Sequence, residues 1–292
     1  MNWLREFDSS IERDAPLGRM TWFRLGGRAR CLFRPRDVKE LCRFMLRAGQ
    51  EGASVRVLGR GANVLVRDGC VDGVIVRLDA PEFREVHREG SHVHAGAGVE
   101  LTWLSRSMSA RGMSGLESMA GIPATVGGAV CMNAGGRFGA FGDVVSSIDV
   151  LRQDGRCERW DHDRIGFGYR RSGLEGAIVL RAELSLEEDD PVRVRRRYRE
   201  YFSLKQRTQP LADHSAGCIF KNPGKVSAGA LIDRAGMKGM RVGPVVVSDR
   251  HANFIVAESG ACAGDVLRLI DVVRERVLRV FGVMLALEID VW

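Results

Sequence analysis

The feature that most constrains this chain is a glycine turn with strand-type residues on both sides. Val55-Arg56-Val57-Leu58 leads into Gly59-Arg60-Gly61-Ala62-Asn63, and Val64-Leu65-Val66 follows. Glycines let backbone N–H groups come close to a phosphate and turn sharply. A dinucleotide fingerprint of the Rossmann kind needs a helix directly after its glycines. Here β-branched, apolar residues follow, so the pattern is strand–turn–strand and a Rossmann NAD domain is disfavoured. On its own the pattern also fits an ordinary tight turn.

A second, longer glycine-rich segment runs from Ala120-Gly121-Ile122-Pro123-Ala124-Thr125-Val126-Gly127-Gly128-Ala129 to Met132-Asn133-Ala134-Gly135-Gly136. So many small residues suit backbone packed against a flat ligand or against another backbone. Thr125 and Asn133 carry groups able to hydrogen-bond a ligand's polar edge. A buried crossover without a ligand fits the spacing equally well.

The rest of the chain reads as three units. In residues 1–79, Asp37 and Glu40 form a capping box ahead of Val38, Leu41, Met45 and Leu46, and Gly49 is expected to end that helix. Short β-type runs follow at 55–58, 63–66 and 74–78. Residues 80–191 hold a helix with Leu101, Leu104 and Met108 on one face, ending at Gly112, then mainly strands, including Ala177–Leu186. Glu187–Pro191 reads as a linker. Residues 192–292 end in a helix with Val266, Ile270, Val273, Val277 and Val280 as its apolar stripe, then a strand over 285–291. The class is α+β, and no internal repeat is present.

A formal net charge of +7 favours anionic partners, and the densest basic stretch is Arg193–Arg207. No helix-turn-helix, zinc or RNP pattern accompanies it, so nucleic acid is not an expected partner. Seven cysteines without CxxC spacing speak against a disulfide framework or a zinc site and for reduced thiols. The first twenty residues lack a signal-peptide core, and no apolar run is long enough to span a bilayer. A cytoplasmic protein that is not membrane-bound, and a monomer, is expected.

Several segments, in order along nearly the whole chain, resemble the UDP-N-acetylenolpyruvoylglucosamine reductase family. They are Thr21–Gly27 (TWFRLGG), 57–66 (VLGRGANVLV), Gly115-Leu116-Glu117 with AGIPATVGGAVCMNAGG, and Gly168-Tyr169-Arg170-Arg171-Ser172. Lys205–Leu211 (KQRTQPL), Ser215–Pro223 (SAGCIFKNP) and His251–Val256 (HANFIV) follow. The short span from Arg170 to Lys205 resembles the family's compact type.

The resemblance implies two FAD-binding subdomains of the vanillyl-alcohol-oxidase (PCMH) type and a third, α+β substrate-binding domain whose last strand returns to the active site. It places FAD against Leu58, Gly59, Arg60, Gly61, Ala62, Asn63 and Val64, and against Gly121, Thr125, Gly127, Gly128, Asn133 and Ala134. No histidine lies in Gly59–Asn63, so the FAD is expected to be noncovalent. The implied reaction uses NADPH to reduce the enolpyruvyl double bond of UDP-N-acetylglucosamine enolpyruvate to UDP-N-acetylmuramate, in peptidoglycan precursor synthesis. Hydride arrives at the terminal carbon from the flavin. The enolate left beside the carboxylate needs cationic or hydrogen-bonding stabilisation and a proton.

By the same resemblance Arg170 forks onto the substrate carboxylate or enolate. Glu288 shares in stabilising the enolate, Cys218 protonates the carbon, and Tyr169, Lys205, Gln209, Lys221 and Asn222 hold the substrate. No metal is implied. Cys218 departs from the family's usual serine. An ordinary thiol titrates near roughly 8.5, so activity is expected to fall in alkali. Met20, Arg60, Ala62, Ala124, Arg137 and Phe138 also depart from the family's usual residues. Losing a hydroxyl at position 62 removes a phosphate contact worth about 1 kcal/mol. Two other readings remain: a different FAD dehydrogenase or oxidase of the same fold, and a flavin- or UDP-sugar-binding protein without turnover.

Overall fold

The structure is a computed structural model that describes residues 2–292. The chain divides into two compact units. Unit 1 comprises residues 1–13, 30–60 and 72–203, and unit 2 comprises 14–29, 61–71 and 204–292.

The first helix of unit 1, α1 (Val38–Gln50), starts where the capping residues put it. Asp37 Oδ1 accepts the Glu40 N–H at 2.7 Å. The Glu40 carboxylate accepts from the Arg36 N–H and, at 2.9 Å, from the Ser10 hydroxyl. Its buried face, Leu41, Phe44, Met45 and Ala48, joins Trp3, Phe7 and Phe33, and Phe33 stacks on Phe44 with ring centroids 4.0 Å apart. The helix does not stop at Gly49. It runs through Gln50, and Gly52 takes the left-handed turn (φ +60°). A Cβ on Gly49 would lie 3.0 Å from the Gln153 carbonyl oxygen, so that glycine serves packing rather than termination. Four strands form a sheet in the order Ile11–Pro16, Arg28–Phe33, Cys70–Val76, Val55–Val57, with the last pair parallel (Val55 opposite Val74).

A five-stranded antiparallel sheet lies within unit 1, in the order Cys157–Asp161, Val145–Leu151, Ile178–Ser185, His92–Gly96, Val86–Glu89. Register places Trp160, Ile148, Ala182 and Ala95 in one cross-strand row, all buried. Leu101, Leu104 and Met108 of α2 (Leu101–Ala110) belong to the same core, and Gly112 follows at φ +75°. The second glycine-rich segment contains a helix the sequence reading did not anticipate, α3 (Val126–Cys131), capped by Thr125. Two adjacent glycines disfavour a helix locally. Burial of Val126, Ala129 and Val130 overrides that preference. A short helix, α4 (His162–Ile165), follows the outer hairpin.

Glu187–Pro191 is more than a linker. Glu187 and Glu188 pair with Ser114 and Met113, and Asp189 accepts from Arg193 and Arg197. The basic run forms α5 (Pro191–Thr208), largely solvent-exposed, with Val194 buried.

Unit 2 has its own core. The sheet Arg241–Val242, Val245–Val247, Ile255–Ala257 is antiparallel. Helices α6 (Ala228–Arg234) and α7 (Ala263–Phe281) share its core through Leu231, Ile232, Val266, Leu269, Ile270, Val273 and Val277. Val280, expected on the apolar stripe, is 44% exposed in the last turn of α7. The C-terminal strand is shorter than expected. Asp290–Val291 pairs in parallel with Val64–Leu65. Among the described residues no helix is long and apolar enough to cross a membrane.

Candidate active site

In unit 1, the N–H groups of Gly59 and Arg60 donate no hydrogen bond among the described residues, and in unit 2 the same holds for Gly61 and Ala62. Four consecutive uncommitted amides in a glycine turn suit a phosphate oxygen, which makes this stretch chemically fit for a nucleotide diphosphate such as that of FAD. Leu58 is buried and donates to the Val76 carbonyl, and Val64 pairs with Asp290. A Cβ on Gly59 would sit 2.8 Å from Thr125 Oγ1, so the first glycine loop and the α3 cap approach closely within unit 1. Gly61 (φ +64°) lies under the TWFRLGG segment, where Trp22 N–H donates to its carbonyl at 3.1 Å. Arg60 forms an ion pair with Glu100 (2.6 Å), so its guanidinium is held at the side chain of the residue that precedes α2.

The second segment is tied mainly to protein. Thr125 Oγ1 accepts from Gly128 N–H at 3.2 Å, and Gly127 N–H donates to the Ala97 carbonyl at 2.9 Å. Gly121 turns at φ +74°, and Ala134 N–H closes onto the Ala129 carbonyl at 2.9 Å. Asn133, buried and at φ +41°, uses both ends of its carboxamide. Oδ1 accepts from Gly142 N–H (2.9 Å), and Nδ2 donates to the Gly168 carbonyl (3.1 Å). That second bond anchors the residue immediately before Tyr169-Arg170. Gly168 and Arg171 exchange backbone hydrogen bonds across the pair. Arg170 at the tip has φ +53°, a conformation costly for a residue with a Cβ and a recognised mark of functional turns. Its guanidinium lies over the Tyr169 ring, 5.4 Å from the centroid.

In unit 2, Cys218 follows Gly217 (φ +74°) and precedes a short ladder. Glu288 N–H donates to the Ile219 carbonyl (2.8 Å), Lys221 N–H donates to the Ala286 carbonyl (2.9 Å), and Phe220 bridges Leu287. Asn63 Nδ2 donates to the Glu288 carbonyl at 3.0 Å. Cys218, Glu288 and Lys221 therefore ride on one hydrogen-bonded element, with Asn63 of the glycine turn attached to it. Asn222 Oδ1 accepts from Ala228 N–H at 3.0 Å and so holds the start of α6. Lys205 and Gln209 lie at the end of α5, joined by a backbone bond of 2.8 Å.

Asn253, in the HANFIV segment, has a structural role. Its buried side chain grips both backbone groups of Phe220 (2.9 and 2.8 Å), and its carbonyl accepts from Ile219 N–H (2.8 Å). Nothing in local sequence pattern reports such a contact across 33 positions. His251 is set in the same turn. Burial, then the charge of Lys238, holds its imidazole below the ordinary histidine pKa. Its Nδ1 accepts from Asn253 N–H at 3.3 Å.

Residues 209–292 match the family described as UDP-N-acetylenolpyruvoylglucosamine reductase, C-terminal domain, and residues 29–161 match the FAD binding domain family. A curated UDP-N-acetylenolpyruvoylglucosamine reductase from Moorella thermoacetica is 45% identical over 278 residues, covering 95% of this chain and 91% of the relative. The chain belongs to the UDP-N-acetylenolpyruvoylglucosamine reductase family. A second such reductase, from Symbiobacterium thermophilum, is 43% identical over 97% of this chain and 92% of its own length. The crystal structure of the reductase from Thermus caldophilus superposes with a TM-score of 0.85 at 41% identity, covering 97% of this chain and 98% of that one. A glucose dehydrogenase, Phl p 4.0202, shares only the fold, with a TM-score of 0.52 at 14% identity over 64% of this chain and 44% of its own. Membership in the reductase family brings an FAD-binding domain with it. The first glycine loop through α3 lies within that domain's matched residues.

Proposed function

We propose that this protein catalyses the FAD-dependent, NADPH-driven reduction of UDP-N-acetylglucosamine enolpyruvate to UDP-N-acetylmuramate, acting as a soluble cytoplasmic monomer in peptidoglycan precursor synthesis. The observation that carries the reading is the ladder of unit 2. There Cys218 and Glu288 flank a 2.8 Å backbone bond between Ile219 and Glu288, in a chain that matches reductases over nearly its whole length.

The backbone amides of Gly59–Ala62 are assigned to the FAD diphosphate, with Thr125 and the backbone around Gly121, Gly127, Gly128 and Ala134 shaping the rest of its bed. Bound there, FAD supplies two-electron transfer from NADPH to the substrate's terminal carbon. Arg170 forks two N–H groups onto the substrate carboxylate, where negative charge builds as the double bond is reduced. The strained turn under Arg170 keeps that guanidinium placed before substrate arrives, which removes an ordering cost from the reacting state. Cys218 gives its S–H proton to the adjacent carbon and regains one from solvent. Glu288, partly shielded, orders a water and shares in stabilising the enolate. Lys205, Gln209, Lys221 and Asn222 supply cationic and amide donors for the UDP moiety, with Tyr169 beside the carboxylate.

An anaerobic spectral titration tests this reading. NADPH should bleach the bound flavin, and UDP-N-acetylglucosamine enolpyruvate should restore the oxidised band. A flavin that bleaches but is not reoxidised by that substrate would instead identify another dehydrogenase of this fold.

A further inference from the structure

The sulfurs of Cys42 and Cys157 are 3.6 Å apart, although the two residues are separated by 115 positions. Neither belongs to the glycine loops or to the ladder of unit 2. Cys42 lies on α1, and Cys157 is the first strand residue after a tight turn, opposite Leu151. That turn is closed by Arg152 N–H to the Arg156 carbonyl (2.9 Å) and Gly155 N–H to the Arg152 carbonyl (3.0 Å). It packs directly on α1. A Cβ on Gly155 would stand 3.3 Å from the Cys42 carbonyl oxygen and 3.3 Å from Leu46 Cβ, and one on Gly49 would meet the Gln153 carbonyl at 3.0 Å. The two thiols therefore meet because helix and hairpin are held together by several contacts. Bonding requires the sulfurs to close to about 2.05 Å, which modest side-chain rotation from the present separation can supply.

We propose that Cys42 and Cys157 form a reversible disulfide, a redox modification site that staples α1 to the 152–156 hairpin when a hydroperoxide is present. Cys157 is solvent-exposed and is the first to react. Its thiolate attacks one peroxide oxygen, the O–O bond breaks, and a sulfenic acid forms with release of water. The Cys42 sulfur then attacks the sulfenic sulfur, the S–S bond forms, and a second water leaves. In sum two thiols lose two electrons and two protons, and one hydrogen peroxide becomes two waters. Burial, reinforced by the neighbouring Cys157, pushes the Cys42 thiol up to about 11. That makes Cys42 the resolving partner rather than the peroxide-sensing one. A low-molecular-weight thiol reverses the bond by exchange.

The full-length, fully reduced protein is treated with equimolar hydrogen peroxide. Remaining thiols are alkylated and the digest is mapped by mass. The expected product is a Cys42–Cys157 linked peptide that disappears with dithiothreitol. In Cys157→Ser the link is lost and Cys42 is recovered alkylated, while Cys42→Ser leaves Cys157 as a sulfenic acid trappable by dimedone. The oxidised wild type should also melt roughly 5 °C or more above the reduced form, because a closed loop of this length restricts the unfolded chain. Recovery of both cysteines alkylated after oxidation would overturn the proposal, as would Cys157 oxidised to the sulfinic acid with no linked peptide. The peptide map, not turnover, is the readout, because peroxide attack on Cys218 would also reduce activity.

Discussion

Asn133 in unit 1 and Asn253 in unit 2 each spend a whole carboxamide on backbone next to a proposed catalytic residue, but they do so in opposite settings. Asn133 joins two separate loops, at Gly142 and Gly168, and is itself held at φ +41°. The residue it helps place, Arg170, is also in left-handed backbone and sits in a turn with an exposed tyrosine. Asn253 grips one residue, Phe220, inside a ladder that already carries Glu288 and Lys221 on ordinary backbone bonds. The arginine proposed for charge recognition is thus carried on strained loops, and the cysteine proposed for proton delivery precedes a short regular element. Anion binding by a planar, rigid guanidinium fork gains from a turn that places it in advance. Proton transfer needs a donor within hydrogen-bond reach of one carbon, so it gains more from a fixed backbone.

Replacing Cys218 by alanine removes the proposed proton donor and should lower the rate of substrate-driven reoxidation by about 10²–10⁴-fold, leaving NADPH-driven bleaching unaltered. Equal loss in both half-reactions would show that position 218 shapes the flavin site instead. Asn253→Ala leaves the buried N–H and C=O of Phe220 without partners and should cost about 3 kcal/mol of stability, read by denaturant unfolding, with kcat falling alongside. A stable variant with normal kcat would mean that the ladder holds itself. For Asn133, alanine and glycine separate two effects. Both remove the clamp, at about 1–2 kcal/mol, but glycine relieves the positive φ and should recover up to about 1 kcal/mol of it. Both should raise KM more than they lower kcat, through the Arg170 turn. The smallest effect concerns pH. His251 is held below its ordinary pKa, so the unfolded chain takes up that proton more readily than the native one. Its contribution is complete above roughly pH 6.5 and fades as pH falls from there through the lower native value. His251→Gln should flatten that part of the unfolding profile, and an unchanged slope would assign it to other groups.

Much of this organisation is legible in the sequence because local rules and tertiary packing agree there. Asp37 and Glu40 start α1, Leu101, Leu104 and Met108 face the core, and β-branched residues around Gly59–Asn63 make strands rather than a Rossmann helix. The misreadings have tertiary causes. Gly49 sits inside α1, where a Cβ would crowd the Gln153 carbonyl oxygen at 3.0 Å. The helix Val126–Cys131 is hidden by its two glycines and secured by Thr125 and burial. Glu187–Glu188 pair with a strand more than seventy positions away. For the site, the resemblance points to Arg170, Cys218 and Glu288 as candidates, while the side chains that hold their backbone have no signature in the sequence. The backbone contacts of Asn133 and Asn253 are not legible in the sequence, because a side chain's backbone partners at distance 33 or 35 leave no periodic trace.

The most direct test of proton delivery from unit 2 is the pH dependence of single-turnover reoxidation by substrate, in wild type and in Cys218→Ser, from pH 6 to about 10. The expected result is a wild-type rate that falls in the alkaline range as the thiol ionises, and a Cys218→Ser rate without that fall, since an alcohol stays protonated. A wild-type rate flat to about pH 10, or one that falls identically in both proteins, would contradict the assignment of Cys218 as the proton donor.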